Sequence, residues 1–448
     1  MAMKLGASAL AVVVAGLAIL TAAKAAEAVP TAQRQAGATE GVWYWALPNT
    51  PGGTVPKQGW SGAGEGPNRE IYVGGMDHAA NAALYVLMPG GGGPLQPGTT
   101  LRYVGDARTA ARAATNVRTG DRFEKFHTQP TLLGNRVYVA NMDYSDLNAG
   151  HTAIRGLHWF AYDRATAKFQ DRSAGEPGGI GAADLGLPGL VADQQRGLLY
   201  GLATPTGALL RYNPALRRTT NLGRPAWGRS FLYPGRALWV GSTGRVYFTA
   251  GNPATNPRAG GPYDPAVFNH VHFWDPATQR FGEQATWQLR DTRAIDYARC
   301  FPTPAPRTCF LMDNVGHVYR FSESPSLPAW TEIGDLGQVR DELFGLTWVF
   351  QVRPDASKAY IVTRRGAVHE MSLPDGAVTL LGNLSQLESA LGNQDYFGNS
   401  AWDTAGRFYF TAYPKDLSAP GRTRLVAIDP ARFAAAARAA RTAAAGAP

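Results

Sequence analysis

Six side chains able to move protons or hold anions stand within one stretch, Phe126 to Asp163: His127, Asp143, Tyr144, His151, Arg155 and His158. Imidazole titrates near neutral pH, so His127 or His151 suits a general base. Tyr144 suits the matching acid. Arg155, or Arg229 further along, offers a planar fork for a carboxylate. These residue types fit proton abstraction beside a carboxylate followed by loss of a leaving oxygen, which is a β-elimination. Asp143, His78, Arg229, His270 and Asn252 are the candidates for holding a substrate around that centre.

Each candidate also has a plainer reading. His127 can cap a strand through one backbone hydrogen bond. His158 and His270 both fall five residues before the Asp that ends their segment, Asp163 or Asp275, and that shared place suits packing. His270 and His272 put two imidazoles on one strand face, as some metal sites do. No carboxylate pattern stands near them in sequence, so packing is expected there and no metal is assigned. Asp163, Asn213, Asp275 and Asp429 read as turn residues, because their short polar side chains accept backbone hydrogen bonds.

The elements that must position these groups are repeated. The unit is a strand, a turn, a strand with a central aromatic, a variable loop, and a strand ending in Asp-Pro or a relative of it. The second-strand aromatics are Tyr72, Tyr138, Tyr200, Tyr247, Phe310, Tyr360 and Tyr409. Their spacing of roughly 50 to 65 residues fits a four-stranded blade with its loops. Both faces of these strands are apolar, which fits sheets stacked around an axis. The expected fold class is all-β, a seven-bladed β-propeller over residues 29–430. Copy seven ends at its third strand near Asp429, and Val42 to Trp45 is expected to supply the missing outer strand. Glu27 to Glu40 reads as polar and mobile, Gly52 to Asn68 as loop, and 431–448 as a frayed Ala/Arg helix outside the ring.

In such blades the loops joining second to third strands share a face with the starts of the inner strands. His127, Asp143, Tyr144, His151, Arg155, His158, His78, Asn252, His270 and Arg229 are all expected near that rim. Five of the eight histidines gather there, and loops on a rigid frame are where ligand sites tend to form.

Composition bounds the rest. The chain has 448 residues with Gly 52 and Pro 31, which suits many short strands joined by turns. Residues 1–28 read as a secretory signal, with Lys4, an apolar run from Leu5 to Leu20, and small-x-small cleavage sites. No later stretch is long and apolar enough to span a membrane, so a periplasmic or secreted protein is expected. Cys300 and Cys309 flank a Pro-rich spacer and read as a disulfide in an oxidising compartment. The formal charge is +9, which suits an acidic polysaccharide or other anionic ligand; nucleic acid is not the expected partner. There is no phosphate loop, nucleophile-elbow Ser or HExxH motif, and few inner strands begin with Asp or Glu. No cofactor is expected.

Lys125-Phe126-His127, Val137-Tyr138-Val139 and Ala161-Tyr162-Asp163, with the third copy's GLLYGLATPTGALLRYNP, resemble segments of exported bacterial propellers. That group includes propeller-type polysaccharide lyases of the ulvan-lyase and oligogalacturonate-lyase kinds. His127-Thr128-Gln129-Pro130, His151, Tyr144 and Arg155 are similar to the ulvan-type arrangement, though His151 sits in a longer loop. The oligogalacturonate-lyase ligand cluster has no good counterpart around Asn269 to His272. The resemblance implies a lyase cleaving a uronic-acid glycan, with His127, His151, Tyr144 and Arg155 as catalytic residues. The other reading is a non-catalytic propeller that binds a glycan or protein.

Overall fold

Seven apolar-faced sheets arranged about one axis account for nearly all of the secondary structure in the computed structural model of the chain. It describes residues 29–77, 79, 81–90, 94–143, 154–225, 235–250, 270–289, 294–301, 307–313, 316–323, 329–336, 347–416 and 421–445. Blade one is built from Ala63–Glu65, Ile71–Met76, Ala82–Leu87 and Thr100–Asp106, all antiparallel. Blade two has Thr131–Leu133, Arg136–Ala140, Trp159–Asp163 and Lys168–Asp171. Blades three to six repeat this order, beginning at Val191, Leu238, Ile295 and Thr347. Blade seven takes Gln394–Trp402, Phe408–Pro414 and Arg424–Ile428 from the end of the chain and Val42–Ala46 from its beginning. The Val42↔Ile428 to Ala46↔Arg424 register supplies the missing outer strand and leaves no open seam.

The core lies between sheets. One buried apolar cluster fills the space between each neighbouring pair of blades, including blades seven and one. All seven second-strand aromatics are buried in these clusters, none more than 5 % exposed. The turn residues behave as their chemistry requires. Asp163 accepts from the backbone of Ala165 and Thr166, Asn213 from Ala215 and Leu216, Asp275 from Ala277, and Asp429 from Ala431 and Arg432.

Three terminal or loop expectations are corrected. Residues 31–36, expected mobile, are paired: Thr31–Gln33 extends the outer edge of blade one, and Gln35–Ala36 that of blade seven. This short segment therefore bridges the two blades where the ring closes. Within Gly52 to Asn68, expected to be loop, Ala63–Glu65 forms the inner strand of blade one. Its glycines hid it. Near the axis backbones approach closely, and a Cβ on Gly62, whose φ is +66°, would stand 2.1 Å from the Asn399 nitrogen of blade seven. The Pro430–Ala445 helix, expected frayed, docks on blade six through fully buried Phe433 and Ala437. A single aromatic, Phe433, is enough to anchor this Ala-rich stretch, and Gly382 of the sheet leaves room for Phe433 and Ala437.

Cys300 and Cys309 form the expected disulfide. They are direct cross-strand partners on the inner and second strands of blade five. Closing a loop with a sequence separation of 9 restricts the unfolded chain by about 2–3 kcal/mol. The double variant Cys300→Ser/Cys309→Ser is expected to lose that much in urea unfolding, and reductant is expected to shift the wild type but not the variant.

Candidate functional site

His127, Asp143 and Arg155 reach their expected face, but each is engaged in holding the blade together. His127 is 1 % exposed. Its Nδ1 lies 2.9 Å from the Pro188 carbonyl at the start of blade three, and its ring meets Trp60 edge-on. Asp143 is 2 % exposed and accepts from the backbone N–H groups of Arg122 and Glu124. Burial pushes its carboxyl above the usual range, against the pull of those N–H donors. Arg155 donates to the Asn116 carbonyl and side chain, to the Gly178 carbonyl, and to Asp121 Oδ2 at 2.7 Å. His78, Tyr144, His151, Arg229 and Asn252 lie outside the described residues.

His158 is the centre of a buried charge network. Its Nε2 is 3.2 Å from Asp121 Oδ1 and its Nδ1 is 3.0 Å from Asp171 Oδ2. Burial opposes its charged form, but hydrogen bonds to the two carboxylates outweigh that and raise its pKa to about 9. The imidazolium therefore lies between two aspartates, one of which also holds Arg155. Asn116 and Ser173 satisfy further lone pairs of Asp171. This agrees with a packing role for His158, and with a charged rather than neutral ring. His270 begins the third strand of blade four, 4 % exposed, with its Nε2 2.9 Å from Glu283 Oε2.

A different set of residues surrounds open space. A cavity of about 390 Å³ occupies the axial channel and is lined from all seven inner strands. It reaches the turns that carry Arg69, Arg307 and Pro354, which lie on the face opposite the long loops. Its size lies within the range of small-ligand pockets. The lining holds three guanidinium groups, Arg69, Arg299 and Arg307, and one carboxylate, Glu65, while Asp193 and Glu323 act on Arg307 from outside it. Glu65 is already used: it bridges Arg69 at 3.0 Å and accepts from the Trp402 N–H at 2.7 Å.

Arg299 is held by neutral groups, namely the Gln351 side chain, the Ala298 and Ser400 carbonyls, and the Ser400 hydroxyl. Burial lowers its pKa to about 10, so it stays charged at neutral pH. Burial also lowers Arg307. Two buried donor atoms of the lining, Arg307 Nε and Gln351 Nε2, have no hydrogen-bond partner among the described residues. Gln351 is 1 % exposed. A surplus of positive charge and of unused donors is suited to an acceptor-rich anion.

Sequence reasoning placed the site on the other face and missed Arg69, Arg299, Arg307 and Gln351. One local signal was present. Arg299 and Gln351 are polar residues in mainly apolar strands, IDYARCF and TWVFQV, at positions that topology turns toward the axis.

The fold and the axial site define a seven-bladed β-propeller with a basic channel. No protein-family model matches the chain, and no curated protein matches it. Similar solved structures include YCF48 bound to D1 peptide, at 11 % identity, with 87 % of this chain and 97 % of that one covered and a TM-score of 0.48. Another is the Cps50 (Swd1) β-propeller domain from Myceliophteria thermophila, at 8 % identity, with 83 % and 96 % covered and a TM-score of 0.49.

Proposed function

We propose that the protein is a non-catalytic binding propeller that takes an acidic glycan segment into its axial channel. The observation that carries this reading is the lining itself: three arginines against one paired glutamate, with buried Arg307 Nε and Gln351 Nε2 unused by the described protein. A uronate carboxylate would accept from the guanidinium donors, and the half-buried Phe301 of the lining offers apolar surface to a sugar ring. The formal charge of +9 favours capture of such a polymer. The disulfide supports an exported protein, periplasmic or secreted.

β-Elimination on the same kind of polymer is the competing reading, with His127, His151, Tyr144 and Arg155 as its machinery. Binding is preferred because His127 is buried against a carbonyl and Arg155 is committed to Asp121. A base needs reach to a substrate proton.

Calorimetric titration with acidic and neutral oligosaccharides of equal length tests this. Acidic oligomers are expected to bind and neutral ones not. Arg307→Ala is expected to weaken binding about 10- to 100-fold, the worth of a charge-assisted hydrogen bond. Equal affinity for both series, or an unchanged Arg307→Ala, would overturn the reading. Ultraviolet absorbance of an unsaturated product, lost in His127→Ala, would establish the lyase instead.

A further inference from the structure

On blade four the strand His270–Asp275 carries two imidazoles on one face, because residues two apart in a strand point the same way. Their rings lie 4.8 Å apart, inclined by 31°. The carboxylate that the local sequence lacks comes from the neighbouring strand, Arg280–Gln288. His272 and Glu283 are direct cross-strand partners, and such partners share a face. A register shift between His270 and Val271 breaks the regular ladder beside the pair, and Glu283 Oε2 lies 2.9 Å from His270 Nε2. One ligand atom from each of the three side chains lies within 4.8 Å of the others.

Burial gives this group the shape of a site. His270 and His272 are 4 % and 2 % exposed. Phe248 stacks beside His272, and its carbons bar water from that side. The Glu283 side chain is 56 % exposed, so the group opens toward solvent there. A metal ion takes neutral imidazole nitrogens and a carboxylate oxygen together, which is the donor set gathered here.

We propose that His270, His272 and Glu283 form a binding site for a divalent transition metal, with zinc as the best fit. Two nitrogens and one oxygen suit zinc, cobalt or nickel, whereas calcium and magnesium want oxygen alone. Nitrogen and oxygen ligands of zinc sit about 2.0–2.2 Å from the ion, which small side-chain rotations from the observed spacing allow. Three protein ligands among the described residues leave a fourth position for water or for another donor. The site lies between the outer strands of blade four and is separate from the axial channel, so it stands or falls independently of the glycan reading.

The test uses the full chain after treatment with chelator and dialysis. Titration with zinc chloride is expected to give one equivalent bound with a dissociation constant in the micromolar range or tighter, and a raised unfolding midpoint. Cobalt(II) is expected to give visible absorption bands of a four-coordinate ion, bleached by added zinc. Glu283→Gln, an exposed change that leaves the strand intact, is expected to weaken zinc binding at least tenfold, and His270→Gln to abolish it. No binding by the wild type, or binding equally strong in both variants, would overturn the proposal. Circular dichroism of each variant separates loss of the site from loss of the fold.

Discussion

Asp121→Asn is expected to cost about 3–5 kcal/mol of stability at neutral pH, the penalty for breaking one side of a buried ionic network. Asp121 Oδ1 faces His158 Nε2 at 3.2 Å, and its Oδ2 faces Arg155 Nη1 at 2.7 Å. Oδ2 also accepts the Arg118 N–H at 2.8 Å. Every partner is a donor and two of them are cations. An asparagine keeps one acceptor and turns an N–H₂ group toward the other donor. His158 then loses one of the two carboxylates that keep it charged, and Arg155 loses its only ion-pair partner among those described. Urea unfolding measures the loss, and NMR titration of His158 is expected to show its pKa falling from about 9 toward neutrality. A loss below about 1 kcal/mol with an unmoved His158 would show that the network contributes little. Added salt should change the result only slightly, because the three groups are shielded from solvent.

The second large effect is a stability maximum near pH 6.5 with a loss on either side. On the acid side, His369 is 1 % exposed and neither ring nitrogen has a partner among the described residues. Burial lowers its pKa from 6.5 to about 4. The unfolded chain therefore binds the proton first as the pH falls, and stability is lost between pH 6.5 and 4. On the alkaline side, His158 has a folded value of about 9 against 6.5. Its contribution is complete below pH 6.5 and is lost as the pH rises through 9. Each limb is worth on the order of 3 kcal/mol. His369→Leu is expected to flatten the acid limb without loss at pH 7, since removing an unpartnered buried polar group is neutral or favourable. Asp121→Asn is expected to flatten the alkaline limb. The check is the urea midpoint measured from pH 4 to 10 for the three proteins. An acid limb that survives in His369→Leu would assign it to carboxylates instead.

The features legible in the chain alone are short-range ones. Alternating apolar runs, a buried aromatic in each second strand and Asp at the strand ends recur within each copy, and each is a property of a few adjacent residues. They give the blades, their number, the N-terminal closing strand and the disulfide, whose cysteines are 9 apart. Where a local signal was weak, the reading failed: the glycines in and around Ala63–Glu65 looked like loop, and the Ala-rich tail gave no hint that Phe433 would dock.

The sites were decided by tertiary structure. Asp121 meets His158 across 37 residues, and Arg299 meets Ser400 across 101. Glu283 joins His270 only through the register of one strand pair. No periodicity in the chain encodes which inner-strand residue faces the axis at which height, because that depends on how the ring closes. Closure brings Arg69, Arg299, Arg307 and Gln351 from blades one, five and six into one cavity. The same closure places His127, the most conspicuous candidate in the sequence, against the Pro188 carbonyl of the next blade.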